Sequence, residues 1–485
     1  MGSVDLIYLD PPFQSNRDYN AIYKDETGRP LPDQIEAFCD TWILDSERAR
    51  VIRAMPVLMR ESGLDDSVVE FWRLWMNALR QTQPSLLAYL SYMVERLLQM
   101  KSILKPTGSI YLHCDPTASH YIKIMMDSIF GHQNFRNEIV WYYGQRTAFL
   151  KRHFSKKHDV ILFYGKSKSA TLNKVALPWD KADFMAHRHD VKIDEEGNEY
   201  IWSDGGARGK RYKRMVDDVI SAGKPMDSVW SIPIINSAAK ERMGYATQKP
   251  LALLDRIIRA SSNPGDVVFD PFCGCATTLE AAHALGRKWI GIDIAIHAVK
   301  RVARMRLQHR LDLKEGEDFI VDGVPRNLEG AKDLWEKDKY HFQKWAVEEV
   351  EGFVTTKRTA DGGIDGRIYF PIHGEEDLQS MVIEVKGGKN VNISDLRALK
   401  GVLDNDTALM AGLIIMEPLG ERKDRNFRAF MADAGDLIVN RIEYPRMQML
   451  SIPEIFEGKR FYTPGVVGKG QKEQITLPGS LRRDS

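Results

Sequence analysis

The chain begins with a short apolar run, Val4-Asp5-Leu6-Ile7-Tyr8-Leu9. Its apolar residues are consecutive rather than alternating, which predicts a strand buried on both faces, as in a parallel sheet. Asp10 falls where that strand should stop. Pro11 and Pro12 end the ladder, because neither donates a backbone hydrogen bond and both fix φ. The chain then leaves in a stiff extended turn from which Phe13 projects. In open α/β sheets the carboxyl end of a central strand is where ligands bind.

The same patterning predicts further elements. Leu86, Leu90, Met93, Leu97, Met100 and Leu104 recur at helical spacing. Lys105–Pro116 (KPTGSIYLHCDP) reads as a turn and a strand with a polar end at His113 and Asp115, and His120–Gly131 as a helix closed by glycine. Asn137–Tyr143 and His158–Lys166 read as a pair of strands, and Asp266–Ile294 as strand, tight loop, helix, strand. The segment from Gln145 to about Tyr245 is less regular and rich in Lys, Arg, Gly and Trp. Beyond Leu311 a charged stretch leads into a second αβ unit from about Lys332 to Pro445.

Composition narrows the class. With 485 residues, two or three domains are expected, and 43% hydrophobic with 28% charged residues is ordinary for a soluble globular protein. A net charge of +1 means that any nucleic-acid surface must be local. Four scattered cysteines without CxxC spacing exclude a disulfide framework and suggest a reduced, cytoplasmic setting. No signal peptide and no apolar run of membrane length is present.

A second chemical element is Phe269–Thr278 (FDPFCGCATT). An acid at a strand end followed by a small-residue turn and a helix start brings backbone N–H groups beside a nucleotide-like ligand. The next strand, WIGIDI, ends in Asp293, and an acid there can accept both ribose hydroxyls. No G-x-G-x-x-G is present, so the ligand reads as a nucleoside without a pyrophosphate.

Together these pieces resemble a DNA amino-methyltransferase of the permuted β class, in which the catalytic motif precedes the cofactor motif. DPPF (Asp10–Phe13) matches the catalytic motif; Thr247–Ile258 and DPFCGCATT match the S-adenosylmethionine motifs; Thr107–Tyr121 matches the stretch between them. The resemblance covers Val4 to about Arg310. It implies a Rossmann-like α/β sheet, with Asp293 on the cofactor ribose and Lys249, Pro250, Asp270, Phe272 and Gly274 lining the pocket. The third small position of the loop, often Gly in the family, is Ala276 here.

Adenine N6 is a poor nucleophile, because its lone pair is delocalised, whereas a sulfonium methyl is a strong electrophile. The chief task is therefore alignment. Asp10 and the Pro11 carbonyl can accept the two N6 hydrogens, Pro12 stiffens the turn, and Phe13 offers a face for a base taken out of the duplex. Asp in the first position resembles adenine-N6 enzymes more than the Ser-Pro-Pro of cytosine-N4 enzymes. Members of the family usually carry a strand and a Gly-Asp-Asn-like stretch ahead of the catalytic motif. Met1-Gly2-Ser3 leaves no room for it, so cofactor affinity is expected to be weaker than in a version extended upstream.

Residues from about 145 to 245 are expected to form an inserted target-recognition region. Gln145–Lys174 holds eight Lys/Arg residues and one acid, Asp159, interleaved with Tyr142, Tyr143, Phe149, Phe154, Phe163 and Tyr164 at and near its start; Arg208–Arg214 is a second basic cluster. Both are candidates for contact with double-stranded DNA.

The C-terminal unit carries different chemistry. Gly362–Phe370 is a turn and strand start with Asp365, and Met381–Gly388 is a strand with Glu384 and Lys386 on one face. Asp365 and Glu384 could hold a divalent cation, with Lys386 orienting a water. With the following helix they resemble the Mrr-like branch of the PD-(D/E)xK nucleases, over about Tyr340 to Leu437. That resemblance adds Glu348 or Glu349 as a further acid and Mg²⁺ as cofactor. The expected organisation is a methyltransferase domain at 1–325, a charged linker at 326–339, a smaller α/β nuclease-like domain at 340–445 and a tail at 446–485. The expected activity is S-adenosylmethionine-dependent adenine-N6 methylation of DNA joined to an endonuclease, as in restriction-modification, with no membrane association; a homodimer is compatible with this. Cytosine-N4 methylation, or DNA binding with a non-catalytic nuclease-like domain, are the alternatives.

Overall fold

The computed structural model describes residues 2–12, 18–21, 35–39, 42–144, 151–152, 154–186, 188–204, 209–236, 239–243, 247–294, 299, 303–355, 364–372, 378–388, 390–405 and 408–464. Two compact units emerge. One comprises Met1–Arg17 and Cys39–Lys314, the other Asp18–Phe38 and Glu315–Ser485.

The first unit is built on a seven-stranded sheet. Its strands are β1 (Val4–Leu9), β2 (Leu104–Cys114), β3 (Phe135–Tyr142), β4 (His158–Gly165), β5 (Val229–Ser231), β6 (Val267–Asp270) and β7 (Lys288–Gly291). Their spatial order is β5-β3-β4-β2-β1-β6-β7. β1 runs parallel to both β2 and β6, and β6 to β7. β4 alone is antiparallel to its neighbours β2 and β3, while β5 is parallel to β3.

The central place of β1 explains its composition. Ile7 and Leu9 enter the core on one face with helices Ser46–Glu61, Asp66–Thr82, Pro84–Ile103 and Ser119–Phe130. Leu6 and Tyr8 enter the other, against helix Leu251–Ser261. With apolar partners on both sides, consecutive apolar residues are needed. Asp5 is the exception. Its carboxylate takes two 2.8 Å bonds from Lys105 and one of 2.9 Å from the Val267 N–H, which ties β1 to β2 and β6.

The irregular segment expected at 145–245 is interrupted by the central sheet. β4 and β5 lie within it, so Phe163 and Tyr164 are core residues rather than DNA-facing ones. Phe163 stacks on Tyr111 at 4.3 Å, and the Tyr164 hydroxyl donates to Asp127 at 2.7 Å. The pleat decides this, because a strand paired on both edges points its side chains into the packed layers. Phe149 lies outside the described residues, Phe154 is exposed and Tyr142 half-exposed. Between β4 and β5, a three-stranded sheet at Lys192–Ile193, Glu199–Ser203 and Tyr212–Met215 carries its own small core of Phe184, Ile201, Val216 and Val219.

The second unit contains a five-stranded sheet, in order, of β8 (Phe353–Val354), β9 (Gly366–Phe370), β10 (Gln379–Lys386), β11 (Met410–Ile415) and β12 (Met447–Ser451). The first three are antiparallel, and β10, β11 and β12 are parallel. Helices Ile393–Asn405 and Glu421–Ala432 cover a face through Leu396, Leu399, Leu403 and Phe427. Two boundaries differ from the sequence expectation. Leu328–Lys337, in the expected linker, is a helix capped by Asn327, whose Trp335 packs edge-on against Phe342. Met447–Ser451, in the expected tail, is the edge strand of this sheet.

Candidate active site

The sheet order brings the candidate residues of the first unit together. β1, β2, β6 and β7 are parallel, so Asp10, His113, Asp270 and Asp293 stand at one sheet edge. Asp159, at the start of antiparallel β4, reaches the same edge from the opposite direction.

Asp10 follows the last residue of β1, and its side chain is only 15% exposed. Its Oδ2 accepts from Lys249 Nζ, while its Oδ1 is buried without a hydrogen-bond partner. Pro11 is buried and Pro12 half-buried; Phe13 lies outside the described residues. Lys249 also donates to the Thr247 carbonyl at 3.3 Å. Pro250 is buried as the N-cap of helix Leu251–Ser261. The lysine implied for the cofactor pocket thus holds the candidate catalytic acid.

The small-residue loop after β6 is braced from within. Asp270 Oδ1 accepts from the Phe272 N–H at 3.0 Å and Oδ2 from the Thr278 hydroxyl. Burial pushes the Asp270 carboxyl up to about 7; the charges of Asp10 and Asp293 add to this, and the two hydrogen bonds oppose it. Gly274, at φ 48°, donates its N–H to Asp293 Oδ2 at 2.8 Å. Ala276 caps the helix Thr277–Ala284 at φ 61°, in the left-handed region that favours glycine, which is the physical content of its departure from the family pattern. Beneath the loop, fully buried Arg306 pairs with Glu280 and approaches Cys275 Sγ at 3.8 Å. Phe272 packs near Tyr92, with ring centroids 6.4 Å apart.

In the second unit, Asp365 immediately precedes β9. Its N–H donates to the Ile383 carbonyl at 2.8 Å and its Oδ2 accepts from the Val385 N–H at 2.7 Å. Gly366 beside it lets helix Lys339–Glu349 pack close to the start of β9, since a Cβ there would meet Val347 Cγ1 at 2.4 Å. Burial, then the nearby Glu384 charge, pushes the Asp365 carboxyl up to about 6. Glu384 Oε1 lies 2.6 Å from Lys386 Nζ, which is also 3.9 Å from Asp395. Asp395, which the sequence did not single out, sits in the first turn of helix Ile393–Asn405 after β10. Glu348 and Glu349 end helix Lys339–Glu349. Among the described residues, no group of three or more His, Cys, Asp or Glu is placed to hold a metal ion, so Glu348 is not gathered with Asp365 and Glu384 into such a set.

Sequence reading also passed over Tyr8, His113 and Asp159 as site residues. The Tyr8 hydroxyl lies 3.0 Å from His113 Nδ1, and His113 Nε2 lies 3.1 Å from Asp159 Oδ2. The available signal was a histidine at the polar end of β2 and the single acid in a basic stretch.

A parallel-dominated α/β sheet with acids at adjacent strand ends is the architecture of Rossmann-like, S-adenosylmethionine-dependent methyltransferases. The chain belongs to the N6/N4 DNA methylase family, whose model, described as DNA methylase, matches residues 4–304. It is 32% identical over 259 residues to the Type II methyltransferase M.EcaI of Enterobacter cloacae, covering 45% of this chain and 57% of that protein. It is 30% identical over 213 residues to the DNA adenine methyltransferase YhdJ of Escherichia coli (strain K12), covering 44% of this chain and 65% of that protein. The chain therefore spans less than two thirds of the length of either relative. The crystal structure of an M1.HpyAVI–SAM complex aligns at 20% identity over 46% of this chain and 83% of that one, with a TM-score of 0.29. The family match ends at residue 304, ahead of the second unit's main segment, which starts at Glu315. No helix among the described residues is long and apolar enough to cross a membrane.

Proposed function

We propose that this chain transfers a methyl group from S-adenosylmethionine to N6 of adenine in double-stranded DNA, as the modifying part of a restriction-modification system. The observation that carries this reading is Asp10. It stands at the end of a central strand next to the cofactor-type loop, one carboxylate oxygen held by Lys249 and the other buried without a hydrogen-bond partner. That oxygen suits one N6–H of a base seated at the sheet edge, and the Pro11 carbonyl suits the other. The loop fits a nucleoside cofactor: the Gly274 N–H fixes the orientation of Asp293, whose carboxylate would address the ribose. S-adenosylmethionine, when bound, supplies an electrophilic methyl. Asp270 braces the loop from below, and Phe272 and Pro250 supply apolar walls. The adenine assignment is supported by the Asp-Pro-Pro stop and by the name of the YhdJ relative.

The test is incubation of the full chain with labelled S-adenosylmethionine and mixed DNA, followed by nucleoside analysis. N6-methyladenine is expected, and Asp10→Ala should abolish transfer while cofactor binding persists. N4-methylcytosine as the sole product would overturn the substrate assignment.

For the second unit, the proposal is a Mg²⁺-dependent DNA nuclease. Support comes from the clustering of Asp365, Glu384 and Lys386, and from the Asp365 carboxyl, which burial first and the Glu384 charge second push up, an environment that a cation would relieve. Two carboxylates suffice for Mg²⁺, which commonly completes its shell with water and phosphate oxygens. A bound cation would polarise a phosphate; Lys386 would orient the attacking water, and Asp395 would help to hold Lys386 in place.

A further inference from the structure

Behind Asp10 lies a polar chain that methyl transfer as described leaves unused. Tyr8 on β1, His113 on β2 and Asp159 on β4 are joined at 3.0 and 3.1 Å, and the first two are fully buried. Their partners dictate where the protons sit. Burial works against an ionised Asp159, but the His113 hydrogen bond, the charge of the ring when it is an imidazolium, the Lys249 charge and the Tyr143 hydroxyl outweigh it and hold the carboxyl below its ordinary value. A carboxylate only accepts, so His113 Nε2 carries its hydrogen. Burial, then the charges of Asp10, Asp270 and Asp159, keeps the Tyr8 hydroxyl protonated, so it donates to Nδ1. His113 Nδ1 lies 3.7 Å from Asp10 Oδ1, the carboxylate oxygen that does not bond Lys249. The imidazole thus stands between two carboxylates, with Trp141 edge-on at 5.4 Å.

We infer that His113 is a positioning and proton-relay residue for Asp10, taking from it the proton that leaves the exocyclic amine on methylation. This rests on the methyl-transfer reading above. After attack, the N6–H bond breaks, its electron pair stays on nitrogen and the proton passes to Asp10 Oδ1. The new O–H bond then breaks as the proton moves to His113 Nδ1, and Asp10 is again a carboxylate, able to accept the next N6–H. Asp159 balances the imidazolium charge. Nδ1 has one lone pair, so the Tyr8 O–H must first turn away from it; Tyr8 then accepts from the new Nδ1–H. The 3.7 Å separation must close to hydrogen-bond length, under about 3.2 Å, for the second transfer. The proton returns through Asp10 to solvent once the product has left.

The test is the pH dependence of kcat, from about pH 5.5 to 9, for the full chain and two variants. Among the described residues, the groups around His113 include Tyr8 on β1 and Asp10 just after it, Trp141 on β3, and Asp159 on β4, on which Tyr143 and Lys249 act in turn. Wild type is expected to gain activity with pH, because the relay needs an Nδ1 able to take a proton. Asp159→Asn keeps an acceptor for Nε2–H but removes the charge that favours imidazolium. It should move this limb to lower pH and lower the plateau. His113→Asn should abolish the limb and reduce kcat by about 10- to 100-fold, with cofactor KM within about twofold. Should the His113 variant fail to fold, Asp159→Asn decides alone, its site being at the partly exposed end of the chain. A limb and plateau unmoved in Asp159→Asn overturn the relay, as does loss of cofactor affinity in step with kcat in His113→Asn. Wild type that methylates no DNA overturns the methyl-transfer reading and the relay with it; wild type that methylates with an unmoved limb overturns the relay alone.

Discussion

Asp270→Asn tests the electrostatics of the cofactor loop. Asp270 is 3% exposed and its carboxyl titrates near 7 rather than 3.8, with burial the largest cause. The folded state therefore holds a proton that the unfolded state has released over that interval. The associated stability is fully present below about pH 3.8 and is lost as the pH rises through about 7. Between pH 5 and pH 8 this single carboxyl should withdraw about 2.5 kcal/mol from the stability of the first unit. Asparagine keeps an acceptor for the Phe272 N–H and can donate to the Thr278 hydroxyl, so the loop is conserved while the titration is removed. Urea unfolding of wild type and variant, followed by tryptophan fluorescence at several pH values, measures the effect. Wild type should lose stability relative to Asp270→Asn as pH rises, with the difference levelling off above about pH 8. A difference constant with pH, or one growing in favour of wild type, would refute the reasoning.

Three further outcomes follow from other parts of the molecule. Asp5→Ala removes the carboxylate shared by Lys105 and the Val267 N–H, and should cost about 2–3 kcal/mol in chemical denaturation, because a buried donor loses its partner. Near pH 6, Mg²⁺ added to wild type should release protons, since a cation favours the ionised form of a carboxyl pushed up to about 6; calorimetry in buffers of different ionisation heat reads this, and Asp365→Asn should abolish it. Asp365→Ala and Lys386→Ala should each stop cleavage of unmethylated DNA and leave methylation unchanged, and cleavage surviving either substitution or a chelator would remove the proposed nuclease site.

Much of the local structure was legible in the chain itself. The apolar run at Val4–Leu9, the proline stop after Asp10, the glycine-closed helix ending at Phe130 and the strand–loop–helix at Val267–Ala284 are short-range features. Side-chain period, φ restriction and capping act within a few residues, so the sequence carries them openly. What it could not carry is which strands become neighbours. Phe163 and Tyr164 look like a DNA-facing aromatic pair until β4 is seen paired on both edges. Met447–Ser451 looks like tail until β11 supplies its partner.

The same division runs through the site. Residue types alone nominated Asp10, Asp293, Asp365 and Glu384, since an acid at a strand end is conspicuous in one dimension. Tertiary structure alone set Lys249 on Asp10, 239 positions away, and joined Tyr8 to His113 across 105 positions and His113 to Asp159 across 46. The physical reason is the sheet order: three neighbouring strands, one of them reversed, bring distant side chains to a single edge. Burial there turns ordinary polar residues into a network whose protons have few places to go.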